Sequence, residues 1–119
     1  MTINVLGQTY TIATATAETD KFLETADGYC DRSTKQIVIL DVNDPYYDFE
    51  IKDREWYRRK VLRHEIVHAF LFESGIGECF EWDTKNAHNE AVVDWIATQG
   101  TKLMKAWKEA DCLEQMAGS

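Results

Sequence analysis

The segment from Asp53 to Ser74 constrains the fold more than any other part of this chain. Its spacing of apolar residues predicts one long helix, with acidic residues at its start and glycines just beyond its end. The second half is apolar nearly all round, which is typical of a helix buried in the middle of a domain. The same half carries His64, Glu65 and His68. Buried polar side chains need partners, and a metal ion would provide them.

The stretch His64-Glu65-Ile66-Val67-His68 places two imidazoles four residues apart. Each residue of a helix turns by about 100°, so these positions lie about 40° apart on one face. Both histidines can therefore bind the same zinc ion. Glu65 lies one step round the helix, where it can reach a water molecule on that ion. The alternative is a pair of ordinary helix histidines, one of them buried and hydrogen-bonded in the core.

Composition predicts a single folded domain over residues 1–119. Hydrophobic residues make up 45% of the chain, which excludes a disordered protein. We expect neither a membrane span nor a secretory signal, because no long apolar run and no basic leader are present. Cys30, Cys79 and Cys112 are odd in number and widely spaced, which favours free thiols and a cytoplasmic location.

The net charge of −8 argues against nucleic acid as the main ligand. Charge is nonetheless uneven, because Lys52–Arg63 contains six basic side chains and only two acidic ones. A solvated helix face is the simplest interpretation of this basic run. A phosphate-binding patch and a contact for an acidic partner are the alternatives.

The order of patterns, strands first and helices after, predicts an α+β fold. We expect a small antiparallel sheet of two hairpins, the first over Val5–Ile12 with its break at Gly7-Gln8. The second hairpin should join Tyr29–Asp31 to Gln36–Leu40, whose β-branched apolar run is the strongest strand signal in the chain.

Three shorter helices are also expected. Thr16 can cap one over Ala17–Ala26, with Phe22 and Leu23 turned inward and Gly28 ending it. The second should run over Ala87–Gln99 and close at Gly100, and the third should follow Thr101.

A second motif, Asn89-Glu90-Ala91-Val92-Val93-Asp94, lies on the predicted Ala87–Gln99 helix. Together with the histidine motif it resembles a minimal gluzincin, a zinc metallopeptidase of the HExxH…NExxxD type. The small size is similar to the short metallopeptidases of phages and mobile elements, and loosely to the ImmA/IrrE group, whose members act on transcriptional repressors. The resemblance covers roughly residues 29–99. Metzincins are excluded, because Leu71 and Ser74 occupy the positions of their glycine and third histidine.

The resemblance implies a zincin-like core in which His64, His68 and Glu90 bind Zn²⁺. Asp94 would accept a hydrogen bond from His64 and fix its tautomer. Glu65 would take a proton from the zinc-bound water and hand it to the leaving amine. One strand resembles the edge strand with which an extended substrate pairs in zincins, and its residues are Ile37, Val38, Ile39 and Leu40.

Other residues could complete the site instead. His88 lies about 200° from Glu90 on a helix, so only one of the two can face the metal. Four more candidates lie close enough in sequence to fold back on the site: Glu73, Glu78, Cys79 and Glu81. The candidates to stabilise an oxyanion, by residue type alone, are Tyr46, Tyr47 and His88, each more simply explained as structural.

The sequence therefore predicts a zinc-dependent endopeptidase acting on a peptide or protein substrate, with a transcriptional repressor suggested by resemblance alone. One alternative is a zinc-binding regulatory or interaction protein of a phage or mobile element that has no peptidase turnover. Another is an interaction module whose acidic surface occupies a nucleic-acid-binding partner.

Overall fold

The computed structural model describes residues 1–75 and 90–114. The elements in chain order are β1 (Thr2–Val5), β2 (Gln8–Ala15), a 3₁₀ turn (Lys21–Glu24), β3 (Gly28–Asp31), β4 (Gln36–Leu40), α1 (Arg54–Ser74) and α2 (Glu90–Glu109). Strands precede helices in this part of the chain, which confirms the α+β class. Neither of the two helices contains a stretch apolar enough to cross a membrane.

The four strands form one mixed sheet in the order β1-β2-β4-β3. Both predicted hairpins are present. The turn of the first is Leu6-Gly7, with φ of 52° and 90°, so the predicted break at Gly7-Gln8 is one residue too late, because Gln8 already belongs to β2. The expected purely antiparallel sheet is wrong, because β2 and β4 pair in parallel. The physical reason lies in the run Ile37–Leu40, whose four side chains are all buried. A continuous apolar run fits a central strand covered on both faces.

Each face of the sheet carries its own apolar cluster. Alternate residues of a strand point to opposite faces, so Ile37 and Ile39 join the cluster beneath the helices, whereas Val38 and Leu40 join the other. The second cluster also contains Ala17, Leu23 and Tyr47.

The predicted helix over Ala17–Ala26 is wrong. Only a 3₁₀ turn of 4 residues forms, and Asp20 rather than Thr16 caps it. Thr16 instead accepts a hydrogen bond from the backbone N–H of Thr19, and such local bonds compete with a helix. Leu23 is buried as expected, but Phe22 is 72% exposed.

Helix α1 begins and ends where the sequence predicts. The Asp53 side chain accepts a hydrogen bond from the Trp56 backbone N–H at 3.0 Å, and Gly75 takes a left-handed conformation with φ of 79°. The helix is half-buried rather than covered all round. The side buried against the sheet consists of Leu62, Glu65, Ile66, Ala69, Phe70 and Leu71.

The prediction of two separate C-terminal helices is wrong, because α2 is one continuous helix. It runs unbroken through Gly100, whereas the expected start at Ala87 lies outside the described residues. Glycine costs about 1 kcal/mol inside a helix relative to alanine. That cost is offset by a buried face of the helix formed by Trp95, Leu103 and Ala106, which Ala110 extends just beyond the helix end.

Side chains of the basic run tie the residues after α2 back to α1. Arg59 makes two hydrogen bonds to the Glu114 carboxylate, at 2.9 and 2.8 Å. Arg63 donates to the same carboxylate at 3.1 Å and to the Cys112 carbonyl oxygen at 2.7 Å. These contacts support a structural role for this part of the run rather than a phosphate-binding patch.

The last turn of α1 is bound to the sheet by a partly buried polar contact. The Tyr10 hydroxyl donates to Glu73 Oε1 at 2.6 Å, and the Lys35 ammonium binds the same oxygen. Burial favours the protonated form of Glu73, but the hydrogen bonds from Lys35 and Tyr10 outweigh it, so its pKa is lowered. The charged carboxylate therefore stabilises the folded state.

Glycine at position 28 lets α1 approach the sheet closely. A Cβ atom there would lie 2.9 Å from Val61 Cγ1 and 3.2 Å from the Val38 carbonyl oxygen. The predicted role of Gly28 as a helix terminator is wrong, since it is the first residue of β3. Its lack of a side chain allows the strand to lie directly beside the helix.

Gly28→Ala is expected to lower the free energy of unfolding by about 1–3 kcal/mol, because α1 must move away from β3. Adding Val61→Ala should recover part of the loss. Gly100→Ala is the matched control, since a Cβ there meets nothing within 4 Å, and it should stabilise by about 0.5–1 kcal/mol. Urea unfolding followed by circular dichroism measures all four proteins. An unchanged stability of Gly28→Ala would contradict the close approach.

Glu73→Gln is expected to cost about 1 kcal/mol at pH 7, because the Tyr10 and Lys35 groups lose a charged acceptor. Glu73 has a lowered pKa, so its contribution is present above its ordinary value of 4.5 and is lost as the pH falls through the lowered value. The stability difference between wild type and variant should therefore shrink in acid. Urea unfolding at a series of pH values measures it, and a difference that grows towards low pH would overturn this assignment.

Candidate metal centre

His64, Glu65 and His68 lie on α1 where the helix passes β3. Cavities of about 360 and 350 Å³ adjoin them, one towards each end of the helix. Both cavities are lined by Gly28, His64 and Glu65, so they meet at the histidine motif. The motif thus lies at the middle of a groove between α1 and β3.

The two imidazoles are placed to share one ion. His64 Nε2 and His68 Nε2 are 3.1 Å apart, and the ring planes are inclined by 69°. Two nitrogens bound to one tetrahedral zinc ion at about 2.05 Å lie about 3.3 Å from each other. The observed spacing is close to that value. It also suits a hydrogen bond between the two rings, so a proton and a metal ion compete for the same space.

Glu65 completes a compact group of donor atoms. One donor atom from each of His64, Glu65 and His68 lies within 4.8 Å of the others. Among the side chains that the structure describes, no other set of three His, Cys, Asp or Glu residues converges in this way. The sequence prediction that these three residues act together is therefore consistent with their geometry.

The carboxylate and the two imidazoles of the motif differ in their exposure. Glu65 is only 7% exposed, whereas His64 is exposed and His68 is half-buried. The prediction that all three are enclosed in a buried helix is thus not confirmed. The turn of the helix explains the difference, since Glu65 points inward to the sheet while the histidines lie along the groove.

Burial also shifts the pKa values of two side chains in the motif. Loss of water raises the pKa of Glu65, an effect that the nearby His64 partly opposes. Loss of water and then the charge of His64 lower the pKa of His68, which favours its neutral form. A neutral imidazole is the form that binds a metal, and a carboxylate with a raised pKa is suited to accept a proton near neutral pH.

Two neighbours of the motif were missed by sequence reasoning. Phe72 stacks on the His68 ring with 6.2 Å between ring centroids, and its position four residues after His68 is a usable helical signal. Cys30 lines the second cavity from β3, and burial raises the pKa of its thiol to about 12. The chain gives no local signal for Cys30, because its place depends on strand order.

The predicted third ligand, Glu90, is the first residue of α2, and Asp94 follows one turn later. The side chains of both residues lie outside what the structure describes, so their roles stay predictions. The alternatives His88, Glu78, Cys79 and Glu81 also fall outside the described residues. Glu73, the remaining alternative, is bound to Tyr10 and Lys35 instead.

Neither oxyanion candidate in the described part lies at the groove. Tyr47 is buried on the opposite face of the sheet, where it packs edge-on against Tyr57. Tyr46 is 59% exposed and lines a different cavity with Asp44.

The predicted edge strand is corrected by the sheet order. Strand β4 pairs with β2 on one side and β3 on the other, so it is central. The predicted substrate contacts of Ile37, Val38, Ile39 and Leu40 are wrong for the same reason, since all four side chains are buried. The strand that borders α1 at the edge of the described sheet is β3.

No family model, no curated protein and no solved structure matches this chain. The resemblance to gluzincins therefore rests on the two sequence motifs. The candidate metal centre rests on the geometry of the histidine motif on α1.

Wild-type protein is expected to bind one zinc ion, and His64→Ala or His68→Ala should weaken that binding by at least about 100-fold, since each removes a direct ligand. Glu90→Ala should have a similar effect, whereas His88→Ala should not. Competition with a chelating dye measures the affinities. Loss of binding in His88→Ala but not in Glu90→Ala would reassign the third ligand, and unchanged binding in both α1 variants would refute the site.

Proposed function

We propose that this protein is a zinc-dependent hydrolase that cleaves peptide bonds. The observation that carries the proposal is the pair of imidazole nitrogens 3.1 Å apart, next to a buried carboxylate and within a groove along a strand. A structural zinc site has four protein ligands, whereas among the described residues only the histidine motif converges, and the groove beside it has room for a substrate.

His64 and His68 would hold the ion together with Glu90, and Asp94 would orient His64. When bound, zinc supplies a Lewis acid that polarises a carbonyl group and makes water more acidic. Side chains and backbone groups of this chain would transfer the proton and bind the substrate.

Glu65 moves the proton in this mechanism. Its carboxylate oxygen accepts a proton from the attacking water, and the resulting carboxylic acid donates that proton to the nitrogen of the departing amine. The buried position beside β3 raises its pKa, which makes the carboxylate a stronger base for the proton of the attacking water. Its place in the central part of α1, among the residues buried against the sheet, positions the carboxylate relative to the groove.

Strand β3 offers the backbone groups that an extended peptide needs. The Leu40 N–H donates to the Asp27 carbonyl oxygen at 2.9 Å, and pairing alternates along an antiparallel ladder. The N–H and C=O groups of Gly28 and Cys30 therefore point away from β4. Because both residues also line the groove, a peptide added alongside β3 would pass the histidine motif.

Zinc-loaded wild type is expected to cleave members of a mixed peptide library, and chelation should abolish cleavage until zinc is restored. Glu65→Gln should keep its zinc but lose about 10²–10⁴-fold in turnover, because the proton acceptor is gone. Glu55→Gln is the control on the same helix, since Glu55 is exposed and paired with Arg58, and it should retain activity. Mass spectrometry of the products and metal analysis provide the two measurements.

Full activity of Glu65→Gln would eliminate this mechanism. Zinc binding by wild type with no cleavage of any library member would instead favour a regulatory zinc-binding protein.

A further inference from the structure

The larger cavity of the groove, at the N-terminal side of His64, contains a fixed carboxylate. It is lined by Asp27, Gly28, Tyr57, Lys60, Val61, His64 and Glu65. The Tyr57 hydroxyl donates to Asp27 Oδ2 at 2.6 Å, and the Asp27 main chain is held by its bond to Leu40. One carboxylate oxygen of Asp27 is thus occupied, and the other can accept a hydrogen bond from a ligand.

A lysine, Lys60, lines the same cavity. Lys60 is exposed, and its Nζ lies 5.6 Å from the centre of the Trp56 ring. Within the part of the chain that the structure describes, Lys60 and Asp27 form no ion pair with each other or with another residue. The cavity therefore presents one negative and one positive group that do not neutralise each other directly.

This pair of charges selects against a charged occupant of either sign. A carboxylate side chain would gain from Lys60 but would meet Asp27, and Glu65 at the inner end. An ammonium or guanidinium side chain would gain from Asp27 but would meet Lys60. A carboxamide suits both groups, because its NH₂ donates to a carboxylate while its C=O accepts from an ammonium.

The walls suit such a side chain as well. Val61 and the Tyr57 ring supply apolar surface for methylene groups, and the Gly28 backbone forms the wall of the cavity beside β3. A cavity of about 360 Å³ has room for the longer of the two natural carboxamide side chains.

We propose that this cavity binds the carboxamide side chain of a glutamine, or of the shorter asparagine, next to the bond that is cleaved. Asp27 accepts from the amide NH₂, and Lys60 donates to the amide oxygen. This assignment rests on the proposed function, because it places the substrate relative to the metal centre.

Binding of N-acetyl amino-acid hydroxamates to zinc-loaded wild type tests the proposal without turnover. The hydroxamate group binds the metal and the side chain probes the cavity, so glutamine, glutamate, lysine and leucine derivatives can be compared by calorimetry. We expect the glutamine derivative to bind about 10-fold more tightly than each of the other three.

Two charge-removing variants sharpen the test. Asp27→Asn keeps an acceptor for the Tyr57 hydroxyl but removes the negative charge, so preference should shift towards the glutamate derivative. Lys60→Gln removes the positive charge, so preference should shift towards the lysine derivative. Asp111→Asn and Lys108→Gln are the matched controls, since both residues are exposed and neither lines the cavity, and they should keep the wild-type order.

Equal affinity of wild type for all four derivatives, or the same order of affinities in Asp27→Asn and Lys60→Gln as in wild type, would overturn the carboxamide assignment while leaving the metal centre intact. Failure of plain acetohydroxamate to bind zinc-loaded protein would remove the metal centre, and this assignment with it.

Discussion

The close packing of α1 against β3 is the contact on which the candidate site depends. At Gly28 the strand has no side chain, and Val61 of the helix occupies the space that a Cβ atom would need. One turn later along α1, His64 and Glu65 reach the same strand. A larger residue at position 28 would separate the histidine motif from the backbone that we propose to bind substrate.

A buried carboxylate without a hydrogen-bonded cation is unfavourable in an apo protein, and Glu65 is such a group among the described residues. The rest of α1 compensates for it. Apolar residues fasten its inner side to the sheet, Glu73 fixes its last turn through Tyr10, and Arg59 and Arg63 join it to the segment after α2. A helix held at several points can keep one destabilising group in place, which is common at functional sites.

Local signals in the sequence were sufficient for α1 and for both hairpins. Asp53 and Gly75 are caps whose effect extends over one turn, so the bounds of α1 could be read directly. The order of the strands could not, because the parallel pairing of β2 with β4 joins segments that are distant along the chain. The uninterrupted apolar run Ile37–Leu40 is typical of a central strand that is covered on both faces. The sequence therefore did indicate the position of β4, and the prediction of an edge strand was wrong. The continuity of α2 also depends on tertiary packing. Burial of its apolar face outweighs the local preference of Gly100 to end a helix.

We propose that two imidazoles of α1 bind one zinc ion that keeps a position for solvent. X-ray absorption spectroscopy of zinc-loaded protein tests it most directly, because it reports the number and type of ligands. We expect two imidazoles together with oxygen ligands, all at about 2.0–2.2 Å from the zinc ion. A sulfur ligand at about 2.3 Å, or a signal from fewer than two imidazoles, would contradict it.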